Sequence, residues 1–312
     1  MLDFIRLTRA PRPAPALSPR ESRAVGAYIG LAVGDALGAT VEFMTPREIQ
    51  QRHGVHQEIQ GGGWLRLKPG AVTDDTEMSL ALGGAILKCN GVEATVIADA
   101  FSEWMRGKPV DIGHTVRRGI VQYRRTGLTE TPENEHDAGN GACMRALPIA
   151  LATLEHSEEA MVAAARIQAH VTHHNALSDA GSECVLRMVR AAILEQADLG
   201  GLASLRDRLI ATHPPFRAPK TPLENPSGFI VDTLRVVFHA LFGGSDFEGG
   251  MIEVVNRGGD ADTTGAIYGM IAGALYGLEG IPQRWRRALQ PEVYAACEAQ
   301  ALALLRLGQS HR

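Results

Sequence analysis

Glycine recurs at every fourth position in two distant stretches, Gly26, Gly30, Gly34 and Gly38, then Gly265, Gly269, Gly273 and Gly277. A glycine inside a helix costs up to about 1 kcal/mol relative to alanine, so eight of them on a helical period need a compensating contact. A stripe of glycine strips one helix face of side chains and lets two backbones touch. The pattern therefore predicts two buried helices packed tightly, against each other in the simplest case. Each carries acids at one end, so this packing brings Asp35 and Glu42 towards Asp260 and Asp262.

The rest of the chain reads as helical. Ser22 is a candidate cap for a helix running to Ala36. Apolar residues at three-to-four spacing mark helices over 77–87, 94–105, 144–153, 157–169, 178–196, 202–212, 230–241, 247–255 and 291–306. Aromatic residues make up 5% of the chain and alternating β-branched runs are missing, which argues against sheet. Segments 126–137 and 213–227, rich in turn-forming residues, read as loops. The fold expected is all-α, a single-domain orthogonal bundle of many helices over 22–308, preceded by a disordered tail at 1–21.

Net charge is −4 with acids and bases intermixed, which gives no reason to expect nucleic acid as a partner. Four scattered cysteines, Cys89, Cys143, Cys184 and Cys297, suit a reducing cytosol better than a disulfide scaffold, and a cytoplasmic location is expected. The first twenty residues hold four prolines and four arginines and lack the apolar core of a secretory signal. Asp35 and Glu42 interrupt the apolar run from Gly26 to Phe43, which falls short of a membrane span of roughly 20 residues.

Four acidic clusters carry the chemistry: Glu42, Thr73-Asp74-Asp75-Thr76, Asp111, and Asp260-Ala261-Asp262-Thr263-Thr264. A carboxylate among small and apolar residues is costly unless a positive charge offsets its desolvation. Oxygen donors of Asp and Thr suit a hard divalent cation. One of Asp75 and Thr76 would suffice to cap the helix that follows, so a tandem pair needs another reason. In the Asp260 cluster two neighbouring carboxylates repel unless a cation lies between them, and the pattern could serve two metals with Asp262 bridging. Gly139-Asn140-Gly141 reads either as a glycine loop presenting N–H groups to an anion at a helix start or as a plain Asx turn. His170, His173 and His174 have helical metal-ligand spacing, but imidazole fits the oxygen-rich set poorly, and contact with substrate is the better role for His173.

Taken together, Gly30 to Phe43, Gly61 to Gly70, Thr73 to Leu80, Gly139 to Gly141 and Gly258 to Gly265 resemble the ADP-ribosylglycohydrolase family, from about residue 24 to the C-terminal helix. Val41-Glu42-Phe43 and the Gly61–Gly70 stretch resemble most its dinitrogenase reductase-activating branch. The resemblance implies an all-α bundle with two divalent cations, Mn²⁺ or Mg²⁺. It implies Glu42, Thr73, Asp74, Asp75, Asp260, Asp262 and Thr263 as ligands, Asp111 as the acid at the reacting ribose, and Asp111 or Glu42 as proton carrier. Gly139, Asn140, Gly141, His114 and His173 are implied on the substrate. The implied reaction removes ADP-ribose from an arginine of a target protein, the nitrogenase iron protein in that branch, by direct displacement or by ribose-ring opening; PII-type proteins are implied regulators. Alternatives are hydrolysis of another ADP-ribose linkage (serine, base or O-acetyl ester) and a non-catalytic ADP-ribose-binding module. Three positions depart from the branch: His114 stands where Asn is expected, Asn175 where Pro follows the histidine, and Phe229 where Tyr is expected.

Overall fold

In the computed structural model, which describes residues 16–309, the first glycine stripe lies on α1 (Pro19–Gly38) and the second on α12 (Ala261–Gly280). The two helices run antiparallel with their stripes face to face. A Cβ placed on Gly30 would lie 2.2 Å from the Gly269 carbonyl oxygen, and one on Gly34 would lie 2.0 Å from that of Gly265. Gly26 meets Gly273 in the same way, and Gly38 meets Ala261. Main chain touches main chain along the whole pair, the contact the spacing predicts. Gly277, the last of the second stripe, has a φ of 73° and breaks the helix instead of extending it.

Twelve further α-helices among the described residues surround this pair. They are α2 (Pro46–His53), α3 (Asp74–Cys89), α4 (Ala94–Arg106), α5 (His114–Thr126), α6 (Leu147–Ala152), α7 (Glu158–His170), α8 (Ala176–Arg190), α9 (Leu199–Thr212), α10 (Ile230–Gly243), α11 (Phe247–Val255), α13 (Gln283–Ala288) and α14 (Pro291–Gln309). The described residues contain two isolated β-bridges, Gly62 with Leu67 and Gly139 with Phe229, and no sheet. No described helix is long and apolar enough to cross a membrane.

Several expected boundaries move, each for a local reason. Ser18, not Ser22, caps α1: its hydroxyl accepts from Glu21 N at 3.3 Å while the Glu21 carboxylate accepts from Ser18 N at 2.9 Å, a reciprocal capping box. Regular structure thus begins at Pro19, before the boundary expected at 22; residues 1–15 of the expected tail lie outside the described residues. Ser22 instead accepts from Leu278 N at 3.1 Å, where Gly277 has broken α12. The helix expected over 144–153 shortens to α6, and that over 178–196 ends as a π-helical turn at Ala191–Glu195. Helices α2, α5 and α13 were not expected. Only Val116, Gly119 and Ile120 of α5 are buried, too sparse a stripe to stand out.

Candidate metal centre and substrate cavity

The chain brings its acids together by clamping backbones. Phe43 N donates to Gly259 O at 2.7 Å and Gly259 N donates to Met44 O at 3.0 Å, locking the turn after α1 to the loop before α12. Gly258 and Gly259 have φ values of 69° and 63°, and a Cβ on Gly258 would lie 2.0 Å from Met44 O, so this clamp requires glycine. Carboxylate oxygens of Glu42, Asp260 and Asp262 consequently lie within 4.8 Å of one another.

Asp35 does something the sequence reading missed. It faces the start of α3, not Asp260 and Asp262. Its fully buried carboxylate accepts from Thr73 N at 2.9 Å, Thr73 Oγ1 at 2.9 Å, Thr76 N at 3.1 Å and Thr76 Oγ1. Thr73 makes no side-chain cap of its own, so α1 supplies the cap of α3 from across the core. Burial raises Asp35 to about 6, held there against a larger rise by the four hydrogen bonds. The anchored turn places Asp74 and Asp75 in the first turn of α3, with Asp74 beside the cavity and Asp75 behind it. The first turn of α12 supplies Asp262 and Thr263. Both helices present N-terminal ends to the acids, whose partial positive charge favours anions there.

The cavity measures about 370 Å³. Glu42, Asp74, Asp111, Asp260, Asp262 and Thr263 line it, as do Gly139, Asn140, Gly141, His114 and His173. Two residues of the expected ligand set, Thr73 and Asp75, are fully buried and do not line it. They connect to it through close oxygen contacts: Thr263 Oγ1 donates to Asp75 Oδ2 at 3.3 Å, and Thr73 Oγ1, whose hydrogen goes to Asp35, lies 3.2 Å from the same Asp75 oxygen. Phe43 and Trp64, both more than half exposed, lie with ring centres 5.4 Å apart at the cavity. The Trp64 indole donates to Glu42 Oε2 at 2.6 Å, a second contact with no local signature in sequence.

Burial dominates the electrostatics. It pushes Glu42 and Asp74 up to about 8, and the surrounding carboxylates push the same way. Asp75 and Asp262 rise well above the usual carboxylate range for the same reasons. Asp75 Oδ1 is buried without a hydrogen-bond partner. Crowded, desolvated carboxylates with an orphaned oxygen are what a hard cation relieves, and the donor set is all oxygen. The residues therefore fit a divalent cation.

The glycine loop departs from the helix-start reading. Regular helix begins only at Leu147, so Gly139–Gly141 lies in a turn well before it. A Cβ on Gly139 would lie 3.0 Å from His173 Nε2, and one on Gly141 would lie 2.9 Å from His173 Cε1. The two glycines make room for the imidazole between them. Asn140 is fixed by Nδ2 donating to Thr233 Oγ1 at 2.9 Å and to Asp260 Oδ2. Asp111 is half-buried and accepts from its neighbour Ile112 N at 2.7 Å. His114 is exposed at the first residue of α5. Phe229 is 39% exposed and pairs through its backbone with Gly139. Asn175 caps α8, accepting from Leu177 N and Ser178 N at 2.9 and 3.2 Å, a function proline could not serve. His170 and His174 stand apart from the cavity, their rings stacked at 3.8 Å beside Glu130.

Comparison with known proteins agrees with this geometry. The chain is 48% identical over 290 residues to the ADP-ribosyl-[dinitrogen reductase] glycohydrolase of Rhodospirillum rubrum, covering 91% of this chain and 96% of that protein. It is 31% identical over 287 residues to the ADP-ribosylarginine hydrolase Tri1 of Serratia proteamaculans, covering 87% of this chain and 77% of the other. A solved structure, an ADP-ribosylglycohydrolase-related protein complex, superposes with a TM-score of 0.81 at 37% identity over 94% of this chain and all of that one (100%). The model of the ADP-ribosylglycohydrolase family matches residues 16–312, and the chain belongs to that family.

Proposed function

We propose that the protein hydrolyses the N-glycosidic bond between ADP-ribose and an arginine guanidinium of a target protein, with ADP-ribosylated dinitrogenase reductase as the target. The observation that supports this most is the gathering of Glu42, Asp74, Asp111, Asp260 and Asp262 around one cavity in a chain 48% identical to a glycohydrolase of that description. In the reaction a water oxygen joins the anomeric carbon as the bond to the guanidinium nitrogen breaks. One water proton passes to a carboxylate, Asp111 or Glu42, and the departing nitrogen takes up a proton.

Two divalent cations, Mn²⁺ or Mg²⁺, held by Glu42, Asp74, Asp260, Asp262 and Thr263 at the cavity and by Thr73 and Asp75 directly behind it, would supply Lewis-acid charge beside the ribose. The chain's own residues do the positioning. Asp111, half-buried at the cavity, engages the ribose. Gly139, Asn140, Gly141, His114 and His173 take the rest of the ADP-ribose. Trp64 holds Glu42 by its indole N–H and, with Phe43, offers an apolar rim to the protein that bears the modification. The four free cysteines suit the cytoplasm.

The test is incubation with Mn²⁺ and, separately, arginine-linked and serine-linked ADP-ribosyl proteins. Release of ADP-ribose from the arginine-linked substrate alone is expected. Release only from the serine linkage would replace the arginine reading. Release from neither, with ADP-ribose still bound, would make the protein a binding module.

A further inference from the structure

Arg145 is fully buried, and among the described residues no carboxylate hydrogen-bonds to it, Asp74 acting on it only through space. A buried guanidinium without a hydrogen-bonded counter-ion is expensive, and burial lowers it to about 9 against the pull of Asp74. It is held by neutral groups. Its Nε donates to Gln168 Oε1 at 2.9 Å, its Nη2 donates to Gln168 O at 3.0 Å and to Thr172 Oγ1 at 2.7 Å, and its guanidinium lies 4.3 Å over the Phe101 ring. Gln168 is itself oriented, because its Nε2 donates to Ala142 O at 3.0 Å.

The donors and acceptors in this chain of contacts follow from requiring each buried polar hydrogen to find an acceptor. Arginine only donates, so the Thr172 oxygen accepts from it. The one remaining polar contact of the Thr172 hydroxyl is His173 Nδ1 at 2.8 Å. An Nδ1–H donating to the second lone pair of the Thr172 oxygen would leave the buried hydroxyl hydrogen with no acceptor among the described residues, so the hydroxyl donates and Nδ1 accepts with a bare lone pair. The proton of the neutral ring then sits on Nε2. That atom lies between Gly139 and Gly141 at the cavity and has no hydrogen-bond partner among the described residues. Burial lowers His173 to about 3, with the positive charges of Arg145 and Arg118 adding to the effect, so the ring stays neutral at working pH.

We infer that Arg145, acting through Thr172, is a positioning residue that locks His173 in its Nε2–H form, so that His173 donates a hydrogen bond to an oxygen of the bound ADP-ribose and is barred from ligating a cation through that nitrogen. This rests on the reading of the cavity as an ADP-ribose site. A protonated nitrogen has no lone pair for a metal, and its natural partner is a phosphate, hydroxyl or carbonyl oxygen.

The experiment uses the full chain labelled with ¹⁵N-histidine, the His173 resonances being assigned by their loss in His173→Gln. Wild-type protein should show an accepting Nδ1 and a protonated Nε2. Thr172→Val removes the hydroxyl and keeps the shape; it should mix the tautomers, weaken binding of ADP-ribose and raise KM by about tenfold, the loss of one hydrogen bond, with kcat within about threefold. Thr172→Ser should restore both readouts. Arg145→Met should mix the tautomers likewise if it folds, and the threonine pair decides the matter if it does not. A protonated Nδ1 in wild type, or an unchanged spectrum in Thr172→Val, overturns the relay. A shifted tautomer with unchanged ADP-ribose affinity overturns the donor role. Failure of wild type to bind ADP-ribose while the tautomer is as expected refutes the cavity reading and the donor role with it, leaving the relay standing.

Discussion

Replacing Gly269 by alanine tests the contact on which the whole arrangement stands. The new Cβ would lie 2.0 Å from Gly30 O and 2.4 Å from Gly30 C. Real Cβ atoms essentially never approach closer than 3.0 Å, so at least about 1 Å of separation is needed, and both atoms struck are backbone in a helix that cannot rotate away. Moving α12 off α1 opens a gap along the face the two helices share. A gap of about 0.5–1 Å forfeits a quarter to a half of each dispersion contact across it. Overpacking of this kind costs about 1–3 kcal/mol, and the rigid neighbours place it near the upper end. Alanine's better helix propensity returns up to about 1 kcal/mol. The net expectation is a loss of about 2 kcal/mol, or roughly 3 °C in Tm for a chain of this size. The control is Gly84→Ala in α3, where an added Cβ meets nothing within 4 Å; it should gain about 0.5–1 kcal/mol. Urea and thermal unfolding followed by circular dichroism at the helix band would measure both. If Gly269→Ala proves as stable as Gly84→Ala, the close-packing argument is wrong.

Three further outcomes follow from the cavity. Asp262→Asn should lower turnover by at least about 100-fold in a cation-replete assay, while the metal-free protein melts no lower than wild type, because a crowded buried carboxyl has been removed; retention of more than half the activity would exclude the proposed centre. Glu42 and Asp74 are raised to about 8 on folding, so the folded state favours their protonated forms. Their stability contribution is fully present below about pH 4 and is lost as pH rises towards 8, on the order of several kcal/mol for the coupled pair. Thermal melts in chelator should fall across that window and recover on adding Mn²⁺ or Mg²⁺; a cation effect equal at pH 5 and pH 8 would contradict the assignment. Trp64→Phe keeps the ring and removes the N–H held by Glu42, and should lower kcat/KM by about tenfold with the fold unchanged, a figure that steady-state kinetics on an ADP-ribosylated protein would check.

Much of the scaffold was legible because its constraint is periodic. Glycine at every fourth residue has few uses, and facing backbones are the one seen here. Helix termini were less legible. Thr45-Pro46-Arg47-Glu48 carries the capping box that starts α2, with Glu48 N donating to Thr45 Oγ1 at 3.2 Å, and this signal was open to a closer reading. In α1 both Ser18 and Ser22 precede plausible helix, and the cap falls on Ser18 because only it has Glu three positions on. The acids of the cavity could be picked out by their small and apolar neighbours, but their division of labour could not. Asp35 and Asp74 look alike in sequence; one ties two helices together and the other lines the cavity, a difference set by residues about forty positions away. The role of Arg145 was invisible for the same reason, because its partners belong to α7 and the turn that follows it.

The cap that α1 lends to α3 through Asp35 ties the birth of the catalytic centre to a contact between segments about forty residues apart. Until the first helix is seated, Thr73 and Thr76 have no acceptor, the acids of α3 have no fixed address, and a half-folded chain offers cations only scattered carboxylates. Cation uptake by this protein should therefore report completed assembly, and damage to the first helix should silence the cavity from a distance without altering any residue that lines it.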